Sequence, residues 1–253
     1  MIDTHAHLYA KEFDEDRNEM IQRARLAGVQ HVCLPAIDSA THPALLELCR
    51  THPDFCHPMM GLHPCHVDDD FTTELSIARE YLETEQCCAI GEIGLDYYHS
   101  TEWKQQQIEA FALQIEWGLE KDLPIVIHSR SSLEECIALV NEVGKGLSRG
   151  IFHCFGGDLR QAERVIAMGF HLGIGGVVTY KNAGMAKVVA DIPLTSIVLE
   201  TDAPYLTPVP FRGKRNESSY VQYVAEKIAE IKGISSEEVR SVTSDTAKKI
   251  FRV

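Results

Sequence analysis

Short β-rich runs alternate with amphipathic helical stretches along the whole chain, and this alternation limits the fold more than any other feature. The expected strands are Met1–His5, Val29–Ala36, Cys56–Leu62, Cys88–Asp96, Pro124–Ser129, Gly150–Phe155, His171–Gly176 and Ile197–Asp202. Helical periodicity falls between them, over Asp14–Ala27 (Asp14 as N-cap, Gly28 as stop), Pro43–Thr51, Thr73–Glu83, Glu102–Lys121, Leu133–Val143, Leu159–Met168 and Ala183–Ala190. Two last helices, Ser218–Lys232 and Ser235–Ile250, end the chain. Strand-then-helix repetition favours a parallel sheet. Eight rounds in 253 residues favour an α/β fold of the TIM type, a closed (β/α)8 barrel. With no linker, low-complexity tract or solenoid repeat, a single domain over residues 1–253 is expected.

A barrel needs a large core, and 45% hydrophobic residues supply one. No apolar run approaches the ~18 residues of a membrane span. The informative residues begin at Met1 with no basic n-region before an apolar stretch, so neither a leader nor a membrane anchor is expected. The eight cysteines form no Cys-x-x-Cys pair, which suits reduced thiols and a cytoplasmic location. Cys65, between His63 and His66, is the one placed to act as ligand or nucleophile. A net charge of −13 argues against a protein that coats nucleic acid. It does not exclude a nuclease, because bound cations supply positive charge locally.

The polar residues that interrupt the strands fall at equivalent places. The first strand opens Asp3-Thr-His5-Ala-His7, whose alternate side chains would share one face of an extended chain. His63 ends strand three, Glu92 and Asp96 lie late in strand four, and His128 ends strand five. His153 lies near the end of strand six and Asp202 ends strand eight. Singly, each has a bland explanation: a strand-end Asp is usually a helix N-cap, and a histidine after an apolar strand is usually hydrogen-bonded core. Together they deliver imidazoles and carboxylates from six strands to the C-terminal mouth, where a barrel places its chemistry. Buried without a partner such groups are costly, and divalent metal is the natural partner. Four imidazoles and two carboxylates exceed one mononuclear site with an open position. A carboxylate such as Glu92 is suited to bridge two cations ~3.5–4 Å apart, which would bring a water's pKa towards ~7.

The motifs Asp3-Thr-His-Ala-His7, Gly61-Leu-His-Pro64, Gly91-Glu-Ile-Gly-Leu-Asp96, His128-Ser-Arg130, His153-Cys-Phe155 and Glu200-Thr-Asp-Ala-Pro204 span the chain in order. In these the sequence resembles the TatD family of metal-dependent deoxyribonucleases, within the amidohydrolase superfamily. The resemblance implies a metal held by His5, His7 and Asp202, a second held by His128 and His153, and Glu92 bridging. It further implies His63 as a phosphate-contacting or proton-transferring residue, with Asp202 taking a proton from the attacking water. Glu200, two residues before Asp202, would orient a ligand or serve a plain structural role.

The segment Phe211–Glu217 follows the last strand and so belongs to the same mouth. Its Arg212, Lys214, Arg215 and Asn216, with Arg130, are the expected phosphate contacts. Family members often carry Pro after this Arg-Asn-Glu, where this chain has Ser218, a change expected to loosen the loop; Ala6 stands where cysteine is common. Tyr97, Tyr98 and Tyr180 are candidate base-stacking rings or mere rim cover. Gly173, Gly175 and Gly176 are expected to permit close backbone packing. The remaining histidines carry no assignment. The expected activity is a two-metal phosphodiesterase shortening DNA, single-stranded or recognised at an end, in the 3′-to-5′ sense on family grounds. Its cofactors would be two ions of zinc, magnesium or manganese. The competing readings are hydrolysis of a small cyclic amide, ester or phosphoester with the same metals, and a non-enzymatic binding module.

Overall fold

The computed structural model describes residues 1–145, 147 and 149–253. Eight parallel strands form one sheet in chain order: β1 Ile2–Asp3, β2 His31–Leu34, β3 Cys56–Met60, β4 Ala89–Asp96, β5 Ile125–Arg130, β6 Gly150–Phe152, β7 His171–Ile174 and β8 Ile197–Leu199. The last strand returns to the first. Thr4 N–H donates to the Leu199 carbonyl at 2.9 Å, Asp202 N–H to His5 at 2.9 Å and His7 N–H to Ala203 at 2.7 Å. Closing the sheet removes its edges and completes the expected barrel. The seam runs through residues 4–7 and 199–203, so the first and last polar motifs are held side by side by backbone hydrogen bonds.

Helices follow the strands: α1 Arg17–Leu26, α2 His42–Thr51, α3 Phe71–Thr84, α4 Lys104–Lys121, α5 Leu133–Val143, α6 Leu159–Ala167, α7 Met185–Asp191, α8 Val221–Lys232 and α9 Ser236–Phe251. Their apolar faces and the outer faces of the strands make the main core. A second cluster joins Ile2, Cys33, Met59, Ala89, Val126, Ile151 and Val198 to Ala247, Ile250 and Phe251 of α9. One apolar residue from nearly every strand thus fills the barrel interior at its N-terminal end, and α9 plugs it. Two residues beyond Val126 and Ile151 on the same face come His128 and His153, and four beyond Val198 comes Asp202. The alternation that packs the bottom of the barrel lifts polar groups into its top.

Several strands are shorter than expected, and the difference falls where the site lies. β1 ends at Asp3, β6 at Phe152 and β8 at Leu199, so His5, His7, His153 and Asp202 all lie past the ends of their strands, each still joined to a neighbouring strand end by a backbone hydrogen bond. Cys154 and Asp202 adopt left-handed φ values of 43° and 56°, which a continuing strand does not tolerate. The expected N-cap at Asp14 is not formed. Asp14 closes a 3-10 turn over Lys11–Phe13 and accepts from Arg17 at 2.6 Å, so α1 starts at Arg17. The helix does end at Gly28, whose φ of 86° suits glycine. Likewise α8 begins at Val221, after a 3-10 turn over Ser218–Tyr220. All eight cysteines are free thiols. Among the described residues no helix is long and apolar enough to cross a membrane.

Candidate metal centre

Glu92, from the middle of β4 and 2% exposed, stands at the centre of the mouth. Its two oxygens face different histidines. Oε2 lies 3.0 Å from His5 Nε2 and 3.8 Å from His7 Nε2. Oε1 lies 2.8 Å from His128 Nδ1 and 3.5 Å from both His63 Nε2 and His153 Nε2. Asp202 Oδ1 closes the first half, 3.6 Å from His7 Nε2 and 3.8 Å from His5 Nε2. Six residues from five strand ends therefore meet around one carboxylate from a sixth strand. Three groups of metal-competent atoms converge within 4.8 Å: His5, His7 and Glu92; His63, Glu92 and His128; and His5, His153 and Asp202. Asp202 thus lies between the two halves, adjoining His153 as well as the His5–His7 pair.

The tautomers show what the cluster is built to hold. Tyr9 donates its single hydroxyl proton to the Pro35 carbonyl at 2.7 Å, so towards His7 Nδ1, 3.0 Å away, it can only accept. His7 therefore carries its proton on Nδ1 and turns a bare Nε2 lone pair towards Glu92 and Asp202. Burial and the neighbouring His5 ring push the His7 pKa down to about 3, so it is neutral. Acceptors facing acceptors with no proton between them need a cation. His5 adds to this, since neither ring nitrogen makes a hydrogen bond although the residue is fully buried. Its ring stacks on His153 at 3.5 Å between centroids. The donor set fits divalent metal.

His63 has the opposite tautomer. The Cys65 backbone N–H donates to its Nδ1 at 3.1 Å, so the neutral ring keeps its proton on Nε2, pointing into the site. Burial lowers its pKa, which keeps it neutral. A protonated Nε2 is a donor and not a metal ligand, in keeping with the substrate-facing role implied for His63 by resemblance.

The remaining charges set the field around this centre. Burial acts to raise the Glu92 pKa, but the imidazoles of His5, His63 and His153 and the His128 hydrogen bond outweigh it and hold the carboxyl well below its usual range. Burial acts to lower His128, but hydrogen bonds to Asp96 (Nε2 to Oδ2, 2.9 Å) and to Glu92 push it up to about 9. Burial pushes the Asp202 carboxyl up to about 6 and Glu200 up to about 7. Asp96, 1% exposed, also accepts from the Tyr98 and His99 backbone N–H groups, so it is fixed before it touches His128. Glu200 Oε1 lies 3.1 Å from His153 Nδ1 and accepts from Cys154 N–H at 2.7 Å. A Cβ at Gly173 would run into the Glu200 carboxylate, which is the close approach expected of that glycine.

Some expected residues serve elsewhere. Asp3 does not join His5 and His7: it turns to Thr201 (N at 2.9 Å, Oγ1 at 2.6 Å) and to Ser218 Oγ at 2.6 Å. Ser218 is therefore a donor to a buried carboxylate and does not loosen its loop. Ser218→Ala is expected to cost about 1–3 kcal/mol of stability in a denaturant titration, because Asp3 would lose a donor in a dry site. Asn216 is fully buried and spends its side chain on the Thr201 and Tyr205 carbonyls and the Glu217 N–H. Arg215 clamps Asp16 with two nitrogens, at 2.7 and 2.8 Å, and reaches the Glu12 carbonyl. Both brace the loop, so the expectation of phosphate contact narrows to Arg130, Arg212 and Lys214, which are exposed. Arg130 lies over the Tyr98 ring at 4.0 Å and Arg212 over Tyr180 at 4.5 Å.

Sequence reasoning gave no role to Tyr9 and left Asp96 without one. The signal for Tyr9 was its place two residues beyond His7; nothing in the sequence reveals that Pro35 fixes its proton. Tyr9→Phe is expected to weaken metal binding about 10–100-fold in a metal titration, by freeing the His7 tautomer.

Known proteins match this arrangement end to end. The family described as TatD related DNase matches residues 2–252. An uncharacterized metal-dependent hydrolase of Bacillus subtilis (strain 168), YabD, is 42% identical over 100% of this chain and 99% of its own. A 3′-5′ ssDNA/RNA exonuclease TatD of Erwinia tasmaniensis is 30% identical, with all of both chains covered. The crystal structure of YJJV, a TatD homologue from Escherichia coli K12, superposes with a TM-score of 0.93 at 28% identity, covering 100% of this chain and 98% of that one.

Proposed function

We propose that this chain, which belongs to the family of TatD-related DNases and is a metal-dependent hydrolase, is a phosphodiesterase that shortens single-stranded DNA from its 3′ end with two divalent ions at Glu92. The observation that carries the metal reading is the divided carboxylate, with Oε2 towards His5 and His7 and Oε1 towards His128 and His153. His5, His7 and Asp202 would hold one ion, His128 and His153 the other, and Glu92 both; zinc, magnesium and manganese each suit part of this donor set. When bound, such ions supply a nucleophilic hydroxide near neutral pH and stabilise charge on a phosphoryl oxygen.

The protein's own groups do the rest. Asp202, with Oδ1 beside His5 and His7 at the centre of the mouth, would accept a proton from the attacking water. His63 offers its Nε2–H to an oxygen of the phosphoryl group. Asp96 fixes the far nitrogen of His128 at 2.9 Å, which keeps Nδ1 turned inwards. Arg130, Arg212 and Lys214 form a positive rim that offsets a chain of net charge −13 for a polyanionic substrate. Tyr98 and Tyr180 lie beneath two of those cations and offer faces for unpaired bases. The Erwinia relative's name supports the same substrate class.

The test is to strip the protein of metal, restore magnesium, manganese or zinc separately, and follow 5′-labelled single-stranded DNA on a sequencing gel, with His128→Ala as control. A ladder of progressive shortening that the variant lacks is the expected result. No shortening with any metal would overturn the substrate and pass the site to a small cyclic amide, ester or phosphoester.

A further inference from the structure

A second cluster of donors borders the metal centre without belonging to it. Cys65 lies in the 3-10 turn Pro64–His66 after β3, Asp96 ends β4, and His99 follows three residues on. Cys65 Sγ is 3.6 Å from His99 Nδ1, which is 3.1 Å from Asp96 Oδ2, and the three atoms lie within 4.8 Å of one another. Ligand atoms around tetrahedral zinc, at bonds of about 2.0–2.3 Å, stand roughly 3.3–3.8 Å apart. The triad therefore needs only a small adjustment to close on an ion. One ligand is rigid, since Asp96 is buried and held by two backbone N–H groups, while Cys65 and His99 are exposed and free to adjust.

We propose that Cys65, Asp96 and His99 form an accessory site for a thiophilic divalent cation of the zinc class, and that filling it slows turnover. Sulfur, imidazole and carboxylate together select zinc or cobalt over magnesium. Although the residue is exposed, partial burial of its sulfur and the Asp96 carboxylate beside it push the Cys65 thiol up to about 12, so the ion must displace the thiol proton. That proton passes to solvent, and His99 binds through Nδ1 with its own proton on Nε2. The coupling to the main centre is a shared atom, because Asp96 Oδ2 also accepts from His128 Nε2 at 2.9 Å. An ion on that oxygen withdraws the charge that fixes His128. With three protein donors, a tetrahedral ion would keep its fourth position for solvent.

The site stands whatever the substrate. Cobalt(II) is added to manganese-saturated protein and the thiolate-to-cobalt charge-transfer absorption is recorded for the wild type, Cys65→Ser and Cys154→Ser. The band is expected in the wild type and Cys154→Ser and absent from Cys65→Ser; no band in the wild type, or one that survives in Cys65→Ser, overturns the site. In turnover assays Cys65→Ser is expected to keep its basal rate while the zinc concentration that halves activity rises about tenfold or more. Unchanged zinc sensitivity in that variant would overturn the regulatory role.

Discussion

Glu92→Gln is expected to lower turnover about a thousandfold or more and to reduce the metal bound per chain, measured by steady-state rates and elemental analysis. The substitution keeps volume and shape but changes what each side of the centre meets. One amide atom remains an acceptor; the other becomes an NH2 donor and would occupy itself with an imidazole lone pair. With either orientation one half of the site loses its carboxylate oxygen, because Oε1 and Oε2 serve different histidines. The buried negative charge that offsets the cations is lost as well, in a site where Glu92 is 2% exposed. Near wild-type rates in this variant would break the assignment of Glu92 as the shared ligand.

His63→Gln is expected to separate chemistry from metal binding. The Nδ1 of His63 is occupied by the Cys65 N–H, so its inward nitrogen carries a proton and has no lone pair for a metal. Turnover should fall about 10²–10⁴-fold, the usual range for a positioned proton donor or acceptor, while metal content stays at the wild-type value. A parallel loss of metal would mean that His63 gives up that hydrogen bond and ligates. Because His63, Glu92 and His128 also converge within 4.8 Å, proximity alone does not decide the matter, and the tautomer does.

Much of this arrangement is legible in the sequence because barrel topology turns chain order into position. Val126 and His128 share a face by simple alternation and His153 follows Ile151 in the same way, while Asp202, past the end of β8, is placed by its backbone hydrogen bond to His5 at the closing seam. Strand-end residues from six strands could therefore be gathered without coordinates. What the sequence hid was direction. Asp3 shares the spacing of His5 and His7, yet β1 ends at Asp3 and its carboxylate turns to Thr201 and Ser218 across the closing seam. Arg215 and Asn216 sit in the right loop, but Asp16 and the Thr201 and Tyr205 carbonyls claim them. Those partners lie 11 to 199 residues away in sequence, outside the reach of local pattern. Tyr9 and Asp96 matter through protons they accept, which spacing does not encode.

The central claim is a pair of cations held on the two oxygens of Glu92, and anomalous scattering from crystals grown with manganese tests it most directly. Two peaks about 3.5–4 Å apart, one beside His5, His7 and Asp202 and the other beside His128 and His153, are the result this account predicts. A single peak, or peaks that leave Glu92 without a metal contact, would contradict it.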